Sequence, residues 1–232
     1  MKLTPRVPAA LLLCLVCMLF SPSSYGAVIT IGEPPDPGTG NCFPFGCTGQ
    51  TGPGTRYQQV YDASLFPSSP IRITGLDFFH TQIPGGELSP ADYAIYLSTT
   101  TRPVNGLDTA NFDSNRGTDN TLFFSGFLSG PVGAVFGISS NSHAFVYNSA
   151  SGNLLMDVIK SGGADTGLFL DSRNGTFDNE SSRAQNFGAQ FERWGLVTGF
   201  IYETATVPEP AALIVMGAGL IGVALIARKL TG

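Results

Sequence analysis

Lysine is nearly missing from the middle of this 232-residue chain. Between residues 27 and 206, Lys160 is the sole lysine, and 8 Arg/Lys stand against 16 Asp/Glu, a net of −8. So acidic a stretch repels phosphate backbones and anionic headgroups, which argues against a nucleic-acid partner. Histidine is equally scarce, with His80 and His143 the two in the chain. They form neither an H-E-x-x-H pattern nor an i, i+4 pair, so the usual zinc-hydrolase signature is lacking. There is no G-x-S-x-G nucleophile elbow, because Ser125-Gly126-Phe127-Leu128-Ser129-Gly130 has a different spacing. No sustained helical period runs through residues 27–206, and no internal repeat is visible.

Cysteine is limited to four residues. Cys14 and Cys17 sit in an apolar N-terminal run, behind Leu13 and Val16, which do not make a lipobox. Lys2 and Arg6 precede that run, and Ser24-Tyr25-Gly26 supplies small residues where a signal peptidase reads. Residues 1–26 are therefore expected to be a signal peptide, handled by Sec export and signal peptidase and cut after Gly26. Cys42 and Cys47 remain, in an oxidising compartment, and are expected to form a disulfide. The rival reading, a zinc site, has two thiolates and no nearby His.

What is abundant is glycine, proline and phenylalanine, at 29, 16 and 17 residues. Residues 27–55 read as an irregular Gly/Pro-rich arm holding the Cys pair, after a short β-type run at Ala27–Ile31. From residue 56 the pattern is β-rich. Tyr93, Ile95 and Leu97 alternate with smaller residues, and Ile71, Ile73, Leu76, Phe78 and Phe79 mark another strand with a bulge at Gly75. Further strands are expected at 122–128, 132–138, 143–147, 154–159, 167–170, 187–191 and 194–202. Residues 148–153 read as a hairpin turn, and 102–120 and 171–185 as polar loops. The expected fold of 56–206 is all-β, an antiparallel two-sheet β-sandwich, jelly-roll-like, of about 9 or 10 strands.

The chain closes on Val207-Pro208-Glu209-Pro210, then 17 residues, 211–227, without charge or side-chain hydrogen-bonding groups, then Arg228-Lys229. As a helix that run spans roughly 25 Å, enough for a bilayer's hydrocarbon. The two cations would stay cytoplasmic and leave the rest outside. Gly217 to Gly222 matches G-x-G-x-x-G, but no acidic residue follows, so small residues of a membrane helix are the better reading. Residues 207–232 resemble the PEP-CTERM sorting signal, also catalogued as the ice-binding protein C-terminal domain. The resemblance rests on Pro208-Glu209-Pro210, the apolar run and the basic end. It implies recognition by a membrane-embedded exosortase-type enzyme, export, and company with exopolysaccharide or biofilm matrix. The body lacks the Thr-x-Thr ladders of an ice-binding face.

Candidate sites inside the body are sparse. Asp171, Asn174, Asp178 and Glu180 offer hard oxygen ligands around Gly175, as a calcium site wants, although Arg173 stands where an acid belongs. Asp108, Asp113 and Asp119 carry the same idea. Trp194, with tyrosines 57, 61, 93, 96, 147 and 202, is the candidate for stacking on a sugar ring, against the reading that these tyrosines line the core edge with hydroxyls in water. Asp77, Asp92, Asp157, Asp171 and Glu192 are the carboxylates from which a glycosidase pair would be drawn. The leading expectation is an exported, non-catalytic envelope or matrix protein without a cofactor. It is anchored in the inner membrane through 211–227 until processed, then lies in the outer envelope or outside the cell. A carbohydrate-binding module and a secreted hydrolase are the alternatives.

Overall fold

Alternation decides the strands. Along residues 91–97 every odd position is buried and every even one is exposed or half-buried, so one face of this segment belongs to a core. The computed structural model describes residues 26–48, 55–174, 179–186, 191–192 and 194–205. These hold the strands β1 (Ala27–Ile31), β2 (Gly40–Asn41), β3 (Thr55–Tyr61), β4 (Ile71–Phe79), β5 (Leu88–Thr100), β6 (Thr121–Gly130) and β7 (Val135–Ser139). After them come β8 (Phe145–Tyr147), β9 (Asn153–Ser161), β10 (Leu170–Asn174), β11 (Ser181–Gln185), β12 (Phe191–Glu192), β13 (Trp194–Leu196) and β14 (Thr198–Thr204). The only helical pieces among the described residues are short 3-10 turns. Every pairing is antiparallel.

Three sheets result. A five-stranded sheet runs β1-β14-β4-β7, with β8 also paired to β4. A six-stranded sheet runs β12-β11-β3-β9-β5-β6, and a small one runs β13-β10-β2. The two large sheets share one hydrophobic core. Ile71, Ile73, Leu76, Phe78 and Phe200 from the first pack with Tyr57, Tyr61, Ile95, Leu97, Met156 and Val158 from the second. The Tyr61 and Phe200 rings meet edge-on across the interface at 4.9 Å. The expected bulge is present: the β4–β14 register shifts between Ile201 and Tyr202, whose partners are Gly75 and Ile73, which leaves Thr74 as the extra residue.

Three expectations are corrected. Residues 148–153 are not a hairpin turn, because β8 pairs with β4 in one large sheet and β9 with β3 and β5 in the other. The segment is a crossing, held by a 3-10 turn at Ser149–Ser151. Residues 171–185 are not one polar loop, since β10 and β11 occupy most of it. Residues 194–202 are not one strand. The run breaks at Val197, with β13 bound to β10 and β14 inserted between β1 and β4. The strand total exceeds the expectation because of such breaks and of two- and three-residue pairings that carry no periodicity.

Residues 27–48 are stitched into the body. β1 pairs along its length with β14, from Ala27↔Tyr202 to Ile31↔Thr198. The Cys42–Cys47 disulfide is formed, with S–S 2.08 Å, and its loop carries Phe45 into the core. Phe45 is wholly buried, with ring centroids 4.9 Å from Phe78, 5.5 Å from Tyr93 and 5.5 Å from Phe136. Its carbonyl accepts from the Ser89 amide at 2.7 Å. Gly46 follows because nothing larger fits: a Cβ there would lie 2.1 Å from the Leu168 carbonyl oxygen. The loop closes the end of the body where β4, β9 and β6 finish. At the opposite end, β14 leaves the body beside the start of β1.

Truncating Phe45 to Ala should cost about 3–5 kcal/mol, the usual loss for a fully buried aromatic ring. Urea unfolding of the oxidised protein checks this, and a loss under 1 kcal/mol would contradict the plug.

Candidate functional site

The outer face of the six-stranded sheet is covered by the segment between β5 and β6. Its apolar contribution is Leu107 and Phe112, packed on Val60, Leu155 and Ala184. A 3-10 turn at Phe112–Asn115 places Asn115, fully buried, over Gln58. Asn115 Nδ2 donates to Gln58 Oε1 at 2.7 Å, and Gln58 Nε2 donates to the Phe112 carbonyl at 2.9 Å. Beside them the buried Asp157 carboxylate accepts from two arginines. Arg56 donates through Nε at 3.1 Å and through a terminal nitrogen at 2.7 Å, and Arg116 Nε donates at 2.6 Å. Asp113 adds a second carboxylate to Arg56 at 2.8 Å. Burial by itself would lower the Arg56 guanidinium, but its interactions with Asp157 and Asp113 together outweigh this and hold it above its ordinary value. Arg116 also lies 4.9 Å over the Tyr96 ring. The cluster clamps the covering segment to the sheet.

Lys160 is the other buried charge. It lies on the inner face of β9, fully buried, opposite Tyr93. Its Nζ donates to the Cys47 carbonyl at 2.5 Å, and the Tyr93 ring centroid is 6.0 Å away. Burial pushes this ammonium down to about 8, and Asp165 partly opposes the shift. The sequence hinted at it only as the body's single lysine. The hydrogen bond it makes among the described residues goes to the Cys42–Cys47 loop, which gives it a structural task.

The sequence-derived site residues are scattered by the fold. Asp171 is buried on β10, and its carboxylate accepts from the Thr81 amide and hydroxyl at 2.8 and 2.6 Å and from the Gln82 amide at 3.0 Å. Glu180 sits at the other end of the body, where its carbonyl accepts from the Asp62 amide at 2.9 Å. The structure does not bring these two calcium candidates together. Asp178 and the Asn174 side chain lie outside the described residues. Asp108 is tied locally to the Ala110 and Asn111 amides, which depress its carboxyl below the ordinary range. Among the described residues no three His, Cys, Asp or Glu side chains converge as a metal site would require.

Of the hydrolase carboxylates, Asp92 and Asp157 share the outer face of the six-stranded sheet, on β5 and β9 and four residues apart in register, and Asp77 lies elsewhere. Asp157 points out of the six-stranded sheet, whereas Asp77 points out of the five-stranded one, since Leu76 and Phe78 on either side of it face the core. The carboxyl of Asp77 is raised by burial. The Glu192 side chain lies outside the described residues. Tyr57, Tyr61, Tyr93 and Tyr147 are core residues, and their hydroxyls face protein rather than water: Gln59 at 2.6 Å, Thr198 at 2.9 Å, the Ser89 carbonyl at 3.0 Å and the Gly152 carbonyl at 2.8 Å. Trp194 is half-buried on β13. His143 is exposed, with Ser142 Oγ 3.1 Å from Nδ1.

An open groove of about 440 Å³, with polar and apolar lining in similar measure, runs beside the β6–β7 connection; Phe127, Leu128, Ser129, Val132, Val135 and Phe136 contribute to it. Phe127 and Val135 are 62% and 52% exposed. The sequence marked these only as strand residues, because exposure depends on β6 and β7 both being sheet edges.

The sorting residues Val207, Pro208, Glu209 and Pro210, the apolar run 211–227 and Arg228-Lys229 lie outside the described residues, as do residues 1–25 of the expected signal peptide. No helix among the described residues is long and apolar enough to cross a membrane. Residues 206–229 match the family model of the PEP-CTERM protein-sorting motif. That motif implies export, membrane-associated sorting and processing by an exosortase-type enzyme. A search of curated proteins returns no match to the chain.

The buried lysine gives a signed pH effect. Its folded-state pKa of about 8 lies below the ordinary 10.5, so the unfolded chain binds more protons between those values, and stability should rise with pH from about 8. Tyr57, raised from 10 to about 12 by burial, works the other way above pH 10. Melting temperatures between pH 8 and 10 should therefore climb in the wild type and lose that slope in Lys160→Met. Parallel profiles for the two proteins would contradict this assignment.

Proposed function

We propose that this chain is an exported, non-catalytic structural protein of the cell envelope or extracellular matrix, built on a jelly-roll-like β-sandwich and released from its membrane anchor by an exosortase-type enzyme. The observation that carries the reading is the match of residues 206–229 to the PEP-CTERM protein-sorting motif, which begins two residues past β14. The signal-peptide pattern of residues 1–26 and the Cys42–Cys47 disulfide fit the same extracytoplasmic route. The apolar run 211–227 holds the precursor in the inner membrane, with Arg228-Lys229 on the cytoplasmic side. Buried charges committed to internal partners, Asp157 and Asp171 among them, favour a scaffold over a hydrolase. Exopolysaccharide is the partner class that the sorting signal suggests.

A second reading, a carbohydrate-binding module, is favoured by the groove beside Phe127, where an exposed ring borders an open trough of mixed polar and apolar lining. Trp194, the other candidate ring, is half-buried on β13 and is not part of this groove. Glycan-array binding by the mature protein, lost in Phe127→Ala, would select this reading; a flat array would remove it.

The sorting reading predicts that replacing Pro208, Glu209 and Pro210 with Ala leaves membrane insertion intact and stops processing. Cell fractionation with an epitope on the body checks this. Release of the mutant at the wild-type rate would overturn the reading.

A further inference from the structure

The two lateral edges of the sandwich are unlike the rest of its surface. The five-stranded sheet ends on β1 at one side and on β7 at the other, and β6 flanks β7 as the last strand of the six-stranded sheet. On a body of net charge −8, residues 120–142, which hold β6 and β7, contain no Asp, Glu, Lys, Arg or His, and neither does β1. Among the described residues the exposed large apolar side chains are Val28, Phe127, Val135 and Val146. Isolated exposed apolar residues are ordinary on a protein surface. These four, however, all lie on strands that lack a neighbour on one side, β1, β6, β7 and β8. The core also runs out at both edges: Ile29 on β1 and Phe136 on β7 pack against it and stay half-covered.

Edges of this kind are normally guarded by charge, proline, a bulge or a covering segment. β6 has such a guard. Asn141 lays its amide against the strand, donating through Nδ2 to the Ser125 carbonyl at 2.9 Å and accepting at Oδ1 from the Ser125 amide at 3.0 Å. The Phe123 carbonyl accepts from the Asn141 amide at 3.3 Å. β7, Val135-Phe136-Gly137-Ile138-Ser139, has no guard among the described residues. It pairs with β4 without interruption, and Val135, Gly137 and Ser139 are exposed. β1, also five residues long, pairs as evenly with β14 and is equally open on its far side.

We propose that β7 takes β1 of a second copy of this chain as its missing neighbour, so that the five-stranded sheets of successive copies run on as one. Strand direction permits it. The pairings along β1-β14-β4-β7 are all antiparallel, so a copy set beside β7 in the same orientation presents β1 antiparallel to it. Face parity permits it as well. Val28 and Thr30 lie on the outer face of the sheet, as do Val135, Gly137 and Ser139, because Ile29, Phe136 and Ile138 between them turn to the core. Keeping the faces continuous puts Thr30 opposite Val135 with Ile29 opposite Phe136, or Thr30 opposite Gly137 with Ile29 opposite Ile138. Either register covers the half-buried side chains at both edges. β1 and β7 are different surfaces, so the contact is head-to-tail and does not close, and copies add into an open filament. The inference goes beyond the matrix reading and does not depend on the sorting signal, since both edges lie in the body.

Cysteine cross-linking of the full-length chain in the cells that make it tests this. Thr30→Cys and Val135→Cys replace exposed residues, and a bismaleimide of about 8 Å reach spans both opposite and diagonal neighbours on adjacent strands. The chain carrying both changes should give a ladder of dimer, trimer and larger products on a denaturing gel. Each single variant should stay at the level of the unaltered chain, whose Cys14 and Cys17 set the background. The two single variants produced together should give dimer and nothing larger. Adding Val28→Glu and Ser139→Glu to the doubly altered chain should weaken the ladder about tenfold, because like charges then meet across the new pairing. Val28→Glu with Ser139→Lys should bring it back. Absence of a ladder from the chain with both cysteines would overturn the proposal. So would dimer from Val135→Cys alone, which would give β7 a two-fold partner instead, and so would a ladder untouched by the paired acids. Protease resistance equal to that of the unaltered chain establishes that each variant is folded.

Discussion

A pair of stacked sheets has open ends, and the core survives only if both are closed against water. Here the more demanding closure is Phe45. Its ring sits among Phe78, Tyr93 and Phe136, joining the five-stranded sheet to the six-stranded one where neither has residues left to cover the gap. The loop that delivers it is short and cross-linked, and is stitched by the Ser89 amide, Lys160 Nζ and Thr166. A small disulfide loop contributes little chain entropy. Its effect is positional: it fixes the direction from which one aromatic ring enters the core, and the buried lysine holds the loop from below.

The second constraint is that the six-stranded sheet is covered on both faces. An antiparallel sheet of this kind could leave its outer face to water. Instead the segment between β5 and β6 folds over it, and the contact is partly polar. Asp157 with Arg56 and Arg116, and Gln58 with Asn115, satisfy one another in a place water reaches poorly. Such networks add modest net stability, because desolvation offsets most of the attraction. They do fix one arrangement, since any slip leaves a buried carboxylate without its donors.

Part of this was open to inspection in the residues. The address at the C-terminus was legible because it is a linear signal: a tripeptide, an apolar run and two cations. β5 was legible from period-2 alternation and the Thr74 bulge from Gly75. The Cys pair announced its bond by position. Sheet membership was not legible. Residues 148–153 have hairpin composition, and nothing local says that the strands on either side join different layers. Buried polar side chains were the other blind spot. Asp171, Asp157 and Lys160 look like surface residues until their partners, dozens of positions away, are known. A phenylalanine between two nearby cysteines was the one available hint of the plug.

β14 is last among the described strands in sequence and central in its sheet, flanked by β1 and β4. Order of synthesis and order of assembly are therefore opposed. While the chain threads outward, β1 has no neighbour, and β4 has one edge bare. Both present unpaired backbone to other emerging chains. The slot between them fills only when residues 198–204 arrive, and the sorting motif begins just behind them at 206. The sheet thus reaches completion within a few residues of its own address label. A chain truncated anywhere upstream would lack both, and its exposed strand edges would make it recognisable to quality-control proteases.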